Sequence, residues 1–413
     1  MRALLAATLA LTLAAPALAT EPPEWRAVNA ETGQISDVEG LEALAEAFPD
    51  SGSVRLRMLQ PLLAAGETDK LLEVLAWLQA RGYVFSEGAQ AQIPQLVGED
   101  YGEAARALLI QQAEVIEASM VVAETPPEAG LVESVFAPSD EETYIVTSIT
   151  SNSIWVKLSD ADEWFEVALP TANDLSGIVS EPSGEIGWVA SANLDDSEDG
   201  QELFTGLIAL TGNPDNSPRV SAPEGAALSD LVWVGDGTVY ASDPINGGVY
   251  AKPNGATELA TLVPPGTFRS PQGSAVSEDG ARLYISDYRY GLAIIDIASG
   301  EVSRLASDVP VLLDGVDGLW RHGEELIAVQ NGTSPMRISA FTLSEDGTRI
   351  TYARILEQAH SEWTEPLGGS ISGDALVYVG TGQWDRYSLG QLREGMEAIP
   401  TQIRRLPLGS EPD

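Results

Sequence analysis

There is no cysteine anywhere in the 413 residues. That excludes disulfides, thiolate metal sites, a cysteine nucleophile and a lipidated cysteine anchor together. Histidine is nearly absent: His322 and His360 are the two present, too few for a three-histidine zinc centre. Basic residues number 22 against 62 acidic ones, a formal net charge of −40. A surface of that sign repels nucleic-acid phosphates and anionic membranes, and draws divalent cations to any concave site. Nucleic-acid binding is therefore excluded as a function class. Neither a Gly-x-Ser-x-Gly elbow nor a glycine-rich phosphate loop before a helix is present. Beyond the first residues there is no long apolar run, so no membrane span is expected.

The opening residues are read separately. Met1-Arg2 supplies a short positive region, Ala3 to Ala15 is apolar, and Ala17-Leu18-Ala19 has the small-x-small pattern of a processing site. Residues 1–19 are expected to be an export signal cleaved after Ala19, placing the mature chain in a periplasm or outside the cell. Residues 20–36 are polar and contain proline, and read as a linker.

Residues 37–118 carry helical periodicity. Leu41, Leu44, Ala45 and Phe48 form one stripe, Leu56, Leu59, Leu62 and Leu63 a second, and Leu71, Leu72, Leu75 and Leu78 a third entered through Thr68-Asp69. Gly66 and Gly82 break the pattern. Weaker helices are expected over 86–97 and from Tyr101 to Glu117. The stretch 53–80 resembles a tetratricopeptide unit through Leu59, Ala65-Gly66, Asp69 and Leu72. The resemblance covers one unit and a degenerate second, so this small domain is expected to lean on its neighbour, and it is a candidate surface for a protein partner.

Pro126-Pro127-Glu128 closes the helical region, and over 128–409 the period becomes two. Six segments repeat a small residue, an apolar strand, a polar turn and a second strand ending in small residues. They begin near Glu133, Ser176, Ser229, Gln272, Asp317 and Leu367. Repeats about 40 to 55 residues apart with several strands each mean blades around an axis. The fold class is therefore mainly β, a six-bladed β-propeller preceded by a small helical domain. Residues 401–408 are expected to supply a late strand that closes the ring.

Superposing the repeats puts Glu133, Ser176, Ser229, Gln272, Asp317 and Leu367 at one structural place, facing the axis from one end. Asp230, Asp243, Asp287 and Glu365 stand near it. Oxygen donors converging there suit Ca²⁺, which takes about six to eight hard ligands. Mg²⁺, Mn²⁺ and Zn²⁺ remain open.

The segments Ser270-Pro-Gln-Gly to Tyr284-Ile-Ser-Asp-Tyr, Asp314-Gly-Val-Asp-Gly-Leu to Gln330-Asn-Gly, and Glu365-Pro366 to Gln383-Trp384-Asp385 resemble the regucalcin–gluconolactonase family of metal-dependent lactonases. The resemblance covers the whole propeller. It implies one metal at the channel mouth, held by Glu133, Gln272, Asp317 and Ser229. Gln272 and Ser229 stand where the family has asparagine. It also implies Asp317, or Asp230, as proton acceptor in hydrolysis of a lactone or related ester. His360 resembles, weakly, the channel-mouth histidine of paraoxonase-like hydrolases. The competing expectation is a propeller without catalysis that binds a protein or carbohydrate partner.

Overall fold

The computed structural model describes residues 22–409 apart from 111, 139–141, 182–186, 196–202 and 212. The expected export signal lies outside the described residues. Between Met120 and Pro407 the chain forms six sheets arranged as the blades of a propeller, antiparallel throughout except that Ala306–Ser307 pairs parallel with Arg349–Ile350. Their inner strands are Val132–Phe136, Asp174–Ser180, Leu231–Trp233, Pro271–Val276, Gly318–His322 and Gly369–Ser372, here blades 1 to 6. All six line a central channel at one end, and residues of every blade line it at the other.

The local sequence explains the blades. Second strands such as Gly187–Ala192 and Ala375–Val379 are buried along their whole length, because neighbouring blades cover both faces. The Asp-Gly pairs make the hairpins as their composition demands. Asp279 and Asp346 each accept the backbone amide two residues on, and Gly280 and Gly347 take the left-handed φ of +69° and +66°.

Two boundaries differ from the sequence expectation. The strand at 402–407 is the third of blade 6, and the blade is completed by Met120–Glu124, which pairs antiparallel with it. The propeller thus starts before residue 128, and its ring is closed by the amino-terminal strand. The helix expected from Tyr101 to Glu117 ends at Ala107. Beyond it Ile116 exchanges both backbone hydrogen bonds with Gln358 of blade 5, so sheet pairing takes up residues that would otherwise extend the helix.

The helical region comprises α1 (Ala30–Gln34), α2 (Val38–Ala47), α3 (Gly52–Ala65), α4 (Thr68–Gln79), α5 (Glu87–Leu96) and α6 (Glu99–Ala107). Gly66 ends α3 at φ +72°, as its position suggested. Residue Glu67 stands at the start of α4 and gives no side-chain cap. The stretch expected to be a linker is docked instead. Trp25 and Val28 are buried, and the Trp25 ring packs on Phe48 of the helical region and Phe268 of the propeller at 4.9 and 5.2 Å. Phe48 in turn meets Tyr290 at 4.8 Å. One apolar cluster therefore runs from the helices into blades 3 and 4. Among the described residues no helix is long and apolar enough to cross a membrane.

Candidate functional site

Every blade begins its inner strand at the same end of the channel, so residues far apart in sequence meet there. Glu133 lies where the pairing register of blade 1 slips between Val132 and Ser134. Gln272 lies in the corresponding slip of blade 4, between Pro271 and Ser274. A β-bulge re-aims a side chain that regular pairing would hold against a neighbouring blade. Ser229, Asp317 and Leu367 precede the strands of blades 3, 5 and 6 by one or two residues.

Glycine sets how closely these strands approach. The amides of Gly177, Gly273 and Gly368, in blades 2, 4 and 6, donate to the carbonyls of Ser229, Asp317 and Glu133 at 3.1, 2.8 and 3.2 Å. A Cβ on Gly273 would stand 2.3 Å from the Leu319 nitrogen, and one on Gly177 2.5 Å from the Ser229 carbonyl oxygen. Only glycine permits this contact. The three donors alternate with the three acceptors around the ring, drawing the acceptor residues of blades 1, 3 and 5 inward.

Glu133, Ser229, Gln272, Asp317 and Glu365 line one cavity of about 390 Å³. The carboxylates of blades 1 and 5 are thus brought together, as the sequence suggested. Trp384 donates from Nε1 to Glu133 Oε2 at 2.8 Å. A hydrogen bond from Asn331 reaches Asp317. Asn331 is itself held, accepting from the Tyr288 hydroxyl at 2.8 Å and donating to the Pro366 carbonyl at 3.1 Å. Gln272 donates to the Ser270 hydroxyl at 3.2 Å, which leaves its amide oxygen free to face the cavity. Leu194, Pro244, Ile245 and Leu367 supply an apolar wall.

The electrostatics are those of acidic groups gathered with no cationic side chain among the described residues that line the cavity. Burial pushes the Glu133 carboxyl up to about 8; the Trp384 hydrogen bond opposes this, and Glu365 and Asp230 add to it. Asp317 is raised well above the usual carboxylate range, first by burial and then by Glu133, Asp230 and Glu365. Burial raises Glu365 as well, and raises the Tyr288 phenol, with the Asp317 charge reinforcing the latter.

Several expected residues lie elsewhere. Asp230 lines a separate cavity farther along the channel, because adjacent residues of an extended chain project in different directions. Ser176 is fully buried and spends its hydroxyl on the Ser229 carbonyl. Asp243 and Asp287 are turn acceptors: Asp243 receives the amides of Ile245 and Asn246, and Asp287 those of Arg269, Ser270 and Arg289. His360 is not at the mouth. Its Nε2 contacts an Arg404 nitrogen at 2.7 Å, and its ring stacks on Trp363 at 5.7 Å, inside the seam between blades 5 and 6. His322 ends the inner strand of blade 5, at the far end of the channel. Tyr288, Asn331 and Ser270 are cavity residues that sequence reasoning did not single out. Each lies one or two residues beside a motif position, but nothing in composition distinguishes them from turn residues.

The ligating groups at the mouth are oxygens: the carboxylates of Glu133, Asp317 and Glu365, the amides of Gln272 and Asn331, and the hydroxyls of Ser229, Ser270 and Tyr288. Among the described residues no group of three or more His, Cys, Asp or Glu side chains is close enough to hold a metal unaided. A cation would need the amides of Gln272 and Asn331, and water, to fill its shell. Hard donors and uncompensated negative charge fit Ca²⁺ in kind.

No protein-family model and no curated protein matches the chain. Solved structures do resemble it. A luciferin-regenerating enzyme is 12% identical over 71% of this chain and 95% of its own, with a TM-score of 0.48. A putative gluconolactonase is 15% identical over 70% and 92%, at 0.47. A calcium-binding regucalcin from Agrobacterium tumefaciens is 15% identical over 70% and 95%, at 0.46. At such values the likenesses bear on neither site nor activity, and the architecture rests on the sheet order above.

Proposed function

We propose that the protein is an exported, divalent-cation-dependent hydrolase of lactones or related esters, working at the cavity shared by Glu133 and Asp317. One observation carries the reading: carboxylates from blades 1 and 5 share a cavity with amide groups, and among the described residues no cationic side chain lines it. Buried negative charge without a partner is costly, and a structure keeps it where a ligand supplies the missing charge.

Glu133, Asp317, Gln272 and Ser229 are the residues that would hold the cation, with Asn331 beside them. When bound, it supplies a Lewis acid that polarises an ester carbonyl and acidifies water. Asp317 accepts the proton of the attacking water. Asn331, fixed by Tyr288, holds the Asp317 carboxylate in one orientation. Trp384 does the same for Glu133. The apolar wall of Leu194, Ile245 and Leu367 receives the carbon skeleton of the substrate and excludes bulk water. A cavity of about 390 Å³ accommodates a small cyclic ester, not a polymer.

The test is direct. Melting temperature is followed after chelation and again on adding Ca²⁺, Mg²⁺, Mn²⁺ or Zn²⁺, and a lactone panel is assayed with the native chain and Asp317→Asn. The expectation is a cation-dependent rise in melting temperature and hydrolysis that Asp317→Asn lowers by at least about a hundredfold. Cation binding without hydrolysis of any lactone or ester would leave a ligand-binding propeller. No response to any cation would remove the reading.

A further inference from the structure

The far end of the channel holds a second cavity, of about 350 Å³, lined by all six inner strands. It shares no lining residue with the cavity at the mouth. Its walls are polar and apolar in about equal measure: Phe136, Ile178, Val276 and Ile371 stand with the indoles of Trp233 and Trp320, among serines, Asp230 and Arg321. Asp230 lies among them. Its backbone groups are bonded to Ser242, but among the described residues nothing donates to its carboxylate. The indole N–H of Trp233 is also buried without an acceptor. Among the described residues the one cation on the wall, Arg321, is turned to Glu278, to which it donates at 2.9 Å. A carboxylate with no donor among the described residues, set beside two indoles inside one cavity, is the feature of a site built for a ligand rather than of a packed core.

We propose that this cavity binds a small organic ammonium, its cation paired with Asp230 and its apolar body lying against Trp233 and Trp320. The charge decides the sign. Asp230 repels an anion, and Glu133 and Asp317 lie near enough along the axis to add to that repulsion. The walls decide the class. Ca²⁺ takes about six to eight oxygens and Zn²⁺ about four nitrogen, sulfur or carboxylate ligands, whereas this cavity offers one carboxylate amid serine hydroxyls and hydrocarbon. Indole faces attract an organic cation electrostatically and cover its carbon atoms as well. The site does not depend on the cation proposed for the mouth, so either can fail alone.

The experiment is calorimetric titration of the full chain with benzylammonium, in mildly alkaline buffer, once with chelator and once with saturating Ca²⁺. Benzyl alcohol and phenylacetate serve as the neutral and anionic counterparts. Saturable binding of benzylammonium under both conditions is expected, with binding of the alcohol and the acid at least about tenfold weaker. Asp230→Asn keeps the shape of the carboxylate and should weaken benzylammonium by about tenfold or more. Trp233→Phe keeps the fold and removes part of the π surface, for a loss of about threefold. Equal binding of benzyl alcohol, unchanged affinity in Asp230→Asn at native melting temperature, or no binding of benzylammonium overturns the proposal. Should Asp230→Asn not fold, Trp233→Phe together with the charge series decides it.

Discussion

The carboxylate of Asp314 accepts the backbone amide of Gly52 at 2.8 Å, tying the first turn of α3 to the loop that leads into Asp317. The amide of Ser53 joins it at 2.6 Å, and Leu313 donates back to the Asp50 carbonyl at 3.0 Å. An ionised acceptor at a helix amino terminus satisfies orphan amides and meets the positive end of the helix dipole. The next residue, Gly315, donates to the Tyr288 carbonyl at 2.7 Å, and Tyr288 holds Asn331. The helical region is thus wired to the cavity rim through a few short bonds. Asp314→Ala is expected to cost about 2 kcal/mol, since it leaves one buried and one half-buried amide without acceptors. It should also weaken the Ca²⁺-induced rise in melting temperature. Denaturant titration with and without Ca²⁺ measures both, and a variant that loses stability but keeps the full Ca²⁺ response would uncouple the helices from the site.

The direction of the carboxyl shifts fixes a pH dependence. Glu133 is held at about 8 against an ordinary 4.5. For a group raised in the folded state, the stabilising contribution is fully present below the unfolded value and lost as pH rises through the folded one. Without cation, stability should therefore decline as pH passes from about 4.5 to about 8. A bound cation favours the ionised forms, so the melting-temperature gain on adding Ca²⁺ should grow between about pH 6 and about pH 9. Thermal scans across that range with chelator and with Ca²⁺ test the sign. A gain that shrinks with rising pH would place the cation elsewhere.

Above about pH 8, where the Glu133 carboxyl ionises, Glu133→Gln and Asp317→Asn each relieve the repulsion between two buried carboxylates. Without cation, both variants should melt at the native temperature or about 2 °C above it. Both should lose most of the response to Ca²⁺. Stability kept and cation response lost is the pattern of a site maintained for function. If either variant melted several degrees lower, its carboxylate would be a structural group.

The blade count, the inner strands and the meeting of Glu133 with Asp317 were legible in the sequence because each depends on a repeat. An alternating apolar pattern, an Asp-Gly turn and a shared position before each strand recur every blade, and superposition supplies the geometry. What does not repeat was not legible. Strand Met120–Glu124 falls between the last expected helix and the first expected blade and received no element, since its partner at 402–407 lies at the other end of the chain. Trp25 looks like a linker residue until Phe48 and Phe268 close over it. Asp230 follows Ser229 in the chain but lines the other cavity, a consequence of strand alternation that a list of nearby acids ignores. Asn331 and Tyr288 act through each other and through Asp317, a relation between separate turns that local pattern does not encode.

The closing strand is secured by a buried network centred on Glu357. Its Oε1 accepts the amides of Ala118 and Ser119 at 3.1 and 3.0 Å and the Ser119 hydroxyl at 2.8 Å, while Oε2 accepts the Tyr378 hydroxyl at 2.7 Å. Trp363 donates from its indole to the same Tyr378 oxygen at 3.0 Å, and Arg404 donates to the Ser119 hydroxyl at 2.9 Å. Glu357 and Tyr378 have no solvent exposure, so no water can replace a lost partner. These bonds pin the residues immediately before Met120, and with them the outermost strand of blade 6. Glu357→Ala should cost about 3 kcal/mol by stranding two amides and removing the acceptor of two hydroxyls at once. Tyr378→Phe, which removes one hydroxyl and keeps the ring, should cost about 1 kcal/mol. Hydrogen exchange locates the effect: protection should fall first across 118–124 and its partner 402–407, while blades 2 to 4 keep theirs. Uniform loss around the ring would mean that closure is held by the apolar seam between blades 6 and 1, with Glu357 contributing only to general stability.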